Sequence, residues 1–245
     1  EFEHCYKMIS EALEMFNIQV DYVSLSLRDP NDKEKFYNDE NMWLKAEEDL
    51  RKVLKKLKIK YVEKIGEAAF YGPKIDIQIK TVLGHEITMS TLQLDFLLPK
   101  KFNLEFYNSQ NSIENPIMIH RGLIGTYERF LSILLEQTKG NLPFWLAPKQ
   151  VIIIPVTEEH KAFADEIYTQ LKDNHFYVEV DDRNERISKK IREAQIKKTK
   201  IQIVIGDDEI ATNELSLRFY GQKDIIKIKK IELIDYLIKL RNEKK

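Results

Sequence analysis

Residues 74–96 read KIDIQIKTVLGHEITMSTLQLDF, and two alternations inside that stretch decide the fold of the region around it. Ile75, Ile77 and Ile79 fall on one side of an extended chain, and Lys74, Asp76, Gln78 and Lys80 fall on the other. Leu83-Gly84-His85 supplies a hairpin turn, after which Leu92, Leu94 and Phe96 alternate with Thr91, Gln93 and Asp95. The pattern predicts an antiparallel sheet with one face on a core and one face open. The uncharged amide of Gln93 on the open face suits hydrogen bonding to a small ligand or to a cross-strand neighbour alike.

Working outward, residues 4–16 carry Tyr6, Ile9, Leu13 and Phe16 at helical spacing, and 18–28 alternate like a half-buried strand. Asp39 caps a second predicted helix whose apolar stripe is Trp43, Leu44, Ala46, Leu50, Val53, Leu54 and Leu57. KYVEKI and EAAFYGPK give strand signals before the hairpin, and KFNLEFYN gives another after it. Past Pro116 the run IMIHRG leads to a helix with Tyr127, Phe130, Leu131, Leu134 and Leu135 on its apolar face, stopped at Gly140. From residue 150 the style changes. QVIIIPV is a continuous apolar run, the mark of a strand buried on both faces, and strands and helices then alternate to a closing helix over 231–245. The expectation is an α+β antiparallel part, 1–146, followed by a small α/β domain, 147–245, with a mainly parallel sheet.

Composition bounds the function. The 245 residues are 43% apolar, enough for a packed core, and 39 basic against 40 acidic groups leave a net charge of −1. No global field draws such a chain to nucleic acid or lipid. A single cysteine, Cys5, excludes an internal disulfide and a Cys-rich zinc module and fits a cytoplasmic setting. No apolar run reaches membrane-spanning length, so no membrane partner is expected. The chain opens on Glu1 directly into a helical pattern, which reads as a piece of something longer.

Glycine-cradle, zinc-finger, metalloprotease and nucleophile-elbow signatures are all missing. The chemistry rests on four weaker features. RNERISKKIREAQIKKTK, residues 183–200, holds eight basic and two acidic residues, net +6. It follows a predicted strand, where open α/β sheets gather ligands, and reads equally as a solvated helix face or an RNA contact with Asn184 and Glu209 as hydrogen-bonding partners. FYGPK at 70–74 turns the chain between Tyr71 and Lys74, either as an ordinary corner or as the rim of a phosphate site. Arg129, among aromatic and apolar neighbours, needs an anion, an aromatic stack or a salt bridge with an acid such as Glu128. His120 reads as a core histidine or as one metal ligand, with no other histidine at metal spacing.

Together these residues resemble the threonyl-tRNA synthetase family of class II aminoacyl-tRNA synthetases. FYGPKIDI, TLQLDF, MIHRGLIGTYERF, FWLAPKQV and DDRNERISKKIREAQ stand in that family's order. The resemblance implies the second half of the catalytic domain and a complete anticodon-binding domain, in a homodimeric enzyme that activates L-threonine with ATP and Mg2+ and charges threonine tRNA. It assigns Lys74 and Arg129 to catalysis on the ATP side, Tyr71 and Gln93 to the amino-acid pocket, and His120 to a Zn2+ ion whose other two ligands lie outside this chain. Asn184, Arg192, Glu209 and Arg218 match anticodon-reading positions. Cys5 stands where the family uses no metal ligand, and Thr88 stands where many members carry a nucleotide-touching glutamine. The segments resembling motifs 1 and 2 and the editing domain are missing, so these residues alone are expected to be inactive in adenylation. The rivals are another class II synthetase, prolyl or glycyl, and a non-catalytic truncated paralogue that binds tRNA or other RNA.

Overall fold

The computed structural model describes residues 1–244. Lys245, the last residue of the expected closing helix, lies outside the described residues. The chain forms two compact units, Glu1–Gln137 and Thr138–Lys245. Residues 138–146, expected with the first domain, therefore fall in the second unit, where Phe144 packs into that unit's core.

In chain order the first unit holds α1 (Phe2–Met15), β1 (Tyr22–Leu27), α2 (Glu40–Lys56), β2 (Tyr61–Ile65), β3 (Lys74–Lys80), β4 (Glu86–Asp95), α3 (Leu98–Lys101), β5 (Phe106–Tyr107), β6 (Ile113–Glu114), β7 (Met118–Gly122) and α4 (Tyr127–Thr138). Five strands make one sheet in the order β2-β1-β3-β4-β7, parallel only between β1 and β2. The turn before β4 closes as the sequence predicts, with Gly84 at φ +84° and its N–H donating to the Thr81 carbonyl. Leu25, Ile75 and Leu92 stand in one row across β1, β3 and β4 and are fully buried against Ile9 and Leu13 of α1 and Leu50 and Leu54 of α2. Asp39 caps α2, its carboxylate accepting from Met42 N at 3.0 Å.

Three expectations shift. KFNLEFYN is a strand only at Phe106–Tyr107, because Pro99 starts the turn of helix α3 just before it. EAAFYGPK forms a turn held by one bridge between Ala69 and Gly72. The apolar face of α4 is half covered: Ile133 and Leu134 are buried, whereas Tyr127, Leu131 and Leu135 are exposed.

The second unit holds β8 (Val151–Pro155), α5 (Lys161–Asp173), β9 (Val178–Val180), α6 (Ile187–Ile196), β10 (Ile201–Ile205), α7 (Asp207–Thr212), β11 (Glu214–Phe219), β12 (Ile225–Lys229) and α8 (Leu233–Asn242). Its sheet order is β12-β11-β10-β8-β9. β8, β9 and β10 pair in parallel, but β10–β11 and β11–β12 are antiparallel, so the sheet is mixed rather than mainly parallel. The two crossover helices α5 and α6 fix the parallel trio, and the short turn at Gly221 (φ +74°) allows only an antiparallel return. One face packs on α5 and α8 through Ile153, Ile203, Leu217, Ile167 and Leu237, and the other on α6 through Ile152, Ile154 and Val204.

Candidate functional site: a polar row across the first sheet and the α6 face of the second

Strand register turns the polar half of the 74–96 alternation into a site. Ser26, Lys74, Gln93 and His120 are successive cross-strand partners over β1, β3, β4 and β7, and Ser24, Asp76, Thr91 and Gly122 form the row beside them. The face is closed over β1, where Ser24 and Ser26 are fully buried, and half open over β4 and β7.

Two buried carboxylates organise the row. Asp76 accepts from Lys74 Nζ at 2.6 Å, Thr91 Oγ1 at 2.7 Å and Ser26 Oγ at 3.2 Å. Asp95 lies 2.8 Å from His120 Nε2 through Oδ2, and its Oδ1 accepts from the Leu97 and Leu98 N–H groups that open α3. The Tyr71 hydroxyl donates to Gln93 Oε1, and Gln93 Nε2 donates to Thr91 Oγ1 at 3.3 Å. Tyr71 also lies against the His120 ring, centroids 5.4 Å apart. Burial first, and the charge of Asp95 second, push the Tyr71 phenol above its ordinary value, so it stays a donor. Gly72 is required by close approach: a Cβ there would run into the Leu94 carbonyl oxygen.

Tyr71, Lys74, Gln93 and His120 are thus brought together. Arg129 is not buried. Its exposed guanidinium donates to the Thr88 carbonyl at 3.1 Å and makes no ion pair with Glu128 or any other acid among the described residues, which leaves it available to an anion. Thr88 itself is tied by its hydroxyl to Gln78 Oε1 at 2.9 Å. The sequence reading missed Asp76 and Asp95 as anchors, although both stand in the same polar alternation as the residues they hold.

Of the expected site residues, His120 is the one placed as a metal ligand would be. Asp95 holds Nε2 of His120 and leaves the other ring nitrogen for a metal, the arrangement in which a carboxylate orients a ligating imidazole. No group of three His, Cys, Asp or Glu side chains comes together among the described residues. Cys5 packs against the first core. The donor set fits a zinc ion only with further ligands from elsewhere.

In the second unit, the basic block is partly spent internally. Arg183 grips Asp181 with Nε at 2.8 Å and Nη2 at 2.7 Å and also reaches Glu193 at 2.7 Å, which holds the Asp181 carboxyl below the usual range. Lys189 pairs with Glu185, and the buried Lys190 donates to the Asp181 carbonyl at 2.9 Å. Arg186, Arg192 and Lys197 remain exposed. Asn184 lines a cavity of about 330 Å³ with Thr157, Asp182 and Lys190 after the ends of β8 and β9. Glu209 caps α7, accepting from Gly206 N at 3.0 Å and from Ser216 Oγ at 2.8 Å. Arg218 pairs in register with Gln202 on the α6 side of the sheet. Of the four expected anticodon residues, Asn184 lies on the loop entering α6, Arg192 on α6, Arg218 on the sheet face that α6 covers, and Glu209 on α7 after β10. Among the described residues no helix is long and apolar enough to cross a membrane.

Residues 1–138 match the family described as tRNA synthetase class II core domain (G, H, P, S and T), and 150–240 match the anticodon binding domain family. The chain is 54% identical over 237 residues to a threonine–tRNA ligase of Mycoplasmopsis pulmonis, covering 97% of this chain and 40% of that protein. It is 53% identical over 245 residues to one of Ureaplasma parvum, covering 99% of this chain and 42% of that protein. The chain spans less than half the length of these curated relatives. A crystal structure titled as the RNA binding domain of threonyl-tRNA synthetase from Cryptosporidium parvum Iowa II superposes with a TM-score of 0.90 at 29% identity, over 97% of this chain and 59% of that one.

Proposed function

Since the chain belongs to the class II tRNA synthetases, we propose that it supplies the second part of the catalytic core and the anticodon-binding domain of a threonine–tRNA ligase. The enzyme joins L-threonine to ATP with release of pyrophosphate, then passes the threonyl group to the 3′ end of threonine tRNA. The observation that carries this reading is the row Lys74–Gln93–His120, with Asp95 behind His120 and Tyr71 over Gln93.

The work of these residues is positioning and charge neutralisation. Gln93, its amide fixed by Tyr71 and Thr91, presents a defined polar surface to the amino acid. Arg129 offers a guanidinium to the triphosphate, which arrives with Mg2+, and Lys74 adds an ammonium oriented by Asp76. His120 would be one ligand of a Zn2+ ion; when bound, the ion supplies a Lewis-acid template for the amino and hydroxyl groups of threonine. A site that reads the hydroxyl rejects isosteric valine far better than an apolar pocket does. Asn184, Arg192, Glu209 and Arg218 read the anticodon. The enzyme is a cytoplasmic homodimer.

The test is amino-acid-dependent ATP–pyrophosphate exchange by the full-length protein. Threonine-dependent exchange is expected. Exchange with proline or glycine instead would move the protein to another class II specificity, and no exchange with any amino acid alongside tRNA binding would make it an RNA-binding module.

A further inference from the structure

The second unit carries a cavity that the RNA-facing residues do not use. It holds about 340 Å³, with walls that include Phe144, Phe219, Tyr220 and Tyr236 and with Lys200 and Asn141 at its polar side. Its place in the fold separates it from the α6 loop. Lys200 immediately precedes β10, and Phe219 ends the antiparallel β11 with Tyr220 directly after it, so the cavity opens at the amino ends of the parallel strands. Asn184 and Glu209 follow the carboxyl ends of β9 and β10.

Lys200 gives the cavity its chemistry. Its Nζ donates to Asn141 Oδ1 at 2.6 Å and lies 6.0 Å from the centroid of the Tyr220 ring. Burial pushes the ammonium below its usual value, and no acidic neighbour among the described residues offsets that cost. Arg183, Lys189 and Lys149 each hold a carboxylate, whereas Lys200 holds only a neutral amide. Aromatic walls favour a flat ring, and an uncompensated cation in a partly desolvated site favours an anion attached to it. The volume lies near the lower end of small-molecule pockets, roughly 300–1,000 Å³, which suits one or two fused rings.

We infer that this cavity binds a small planar aromatic carboxylate, its ring against Phe219, Tyr220 and Tyr236 and its carboxylate on Lys200 Nζ.

The full chain is titrated with benzoate and indole-3-carboxylate by calorimetry, with benzamide and cyclohexanecarboxylate as the neutral and non-aromatic comparisons. Both aromatic acids are expected to bind saturably, at millimolar dissociation constants or tighter, and at least about ten-fold more tightly than either comparison. Lys200→Met is expected to weaken them about ten-fold and Lys200→Arg to retain most of the affinity. Ligand-to-protein nuclear Overhauser contacts with the Phe219 and Tyr220 rings in the unaltered chain test the location even if Lys200→Met misfolds. Absence of saturable binding, benzamide binding as tightly as benzoate, a folded Lys200→Met with unchanged affinity, or contacts confined to other rings would each overturn the assignment.

Discussion

Asp95 Oδ2 lies 2.8 Å from His120 Nε2, joining a fully buried carboxylate to an imidazole that is 37% exposed. The other oxygen of Asp95 accepts from Leu97 N and Leu98 N at 3.0 and 2.9 Å, so the orientation of the ring is tied to the start of α3. Asp95→Asn keeps the size and an acceptor for those amides but weakens the hold on the ring. Threonine-dependent exchange by the full-length protein should fall roughly 10–100-fold, the usual cost of losing a carboxylate behind a ligating histidine. Thermal stability should change far less than in Asp95→Ala, which also leaves the two amides without their acceptor. Unchanged exchange in Asp95→Asn would remove Asp95 from the site.

Gly72 shows how close the turn at FYGPK comes to β4. Its N–H donates to Ala69, Leu94 N donates to the Pro73 carbonyl, and the space a Cβ would need is filled by the Leu94 carbonyl oxygen. Backbone cannot move aside as a flexible side chain can, so Gly72→Ala should cost at least about 1–3 kcal/mol. It should also displace Tyr71 from Gln93. Urea denaturation gives the first quantity, and the Michaelis constant for threonine in the full-length protein should rise. A fully stable Gly72→Ala would show that the turn is looser than this packing.

Much of the first site is legible in the alternation of residues 74–96, because a period of two assigns Lys74, Asp76, Thr91, Gln93 and Asp95 to one face without any tertiary knowledge. The place of His120 beside Gln93 is not. The pairing of β7 with β4 is a register over more than twenty intervening residues, set by packing rather than by local pattern. The exposure of Arg129 is not legible for a related reason: helical spacing sets it among apolar residues, but Tyr127, Leu131 and Leu135 of that helix are themselves exposed. Charge counts do not reveal partners either: Asp181, Glu185 and Glu193 neutralise Arg183 and Lys189 within the fold. In the second sheet the apolar runs located the strands, but only the turn at Gly221 fixed the direction of the last one.

Asp181 and Arg183 give a pH dependence of stability with a definite sign. The guanidinium lowers the Asp181 carboxyl in the folded chain, so the ionised form is bound more favourably there than in the unfolded chain. The stabilisation is complete above the unfolded value, about 3.9. It is lost as pH falls through the lower folded value. Asp181→Asn should therefore be less stable than the parent chain by a constant amount from pH 7 down to about 5, with the gap narrowing below about 4. Urea midpoints across that range measure it. A gap that widened on acidification would reverse the assigned shift.

Under the proposed function, substitutions at Arg192 and Arg218 test RNA recognition apart from amino-acid activation. Arg192 is exposed on α6, whereas Arg218 has its Nε buried without a hydrogen-bond partner among the described residues, beside the buried Gln202 amide of the next strand. A single exposed arginine that contacts a phosphate or base edge contributes through charge, so Arg192→Ala should raise the Michaelis constant for threonine tRNA several-fold, more at low salt than at high. Threonine-dependent exchange in the absence of tRNA should stay at the parent level. Arg218→Ala should have the larger effect on tRNA and add a loss of stability, since it also removes packing from the sheet. Charging kinetics at limiting tRNA and exchange without tRNA, run on both variants of the full-length protein, distinguish the cases. Equal losses in the two assays would place these arginines in the fold rather than at the anticodon, and unchanged charging by Arg192→Ala would take α6 out of the RNA interface.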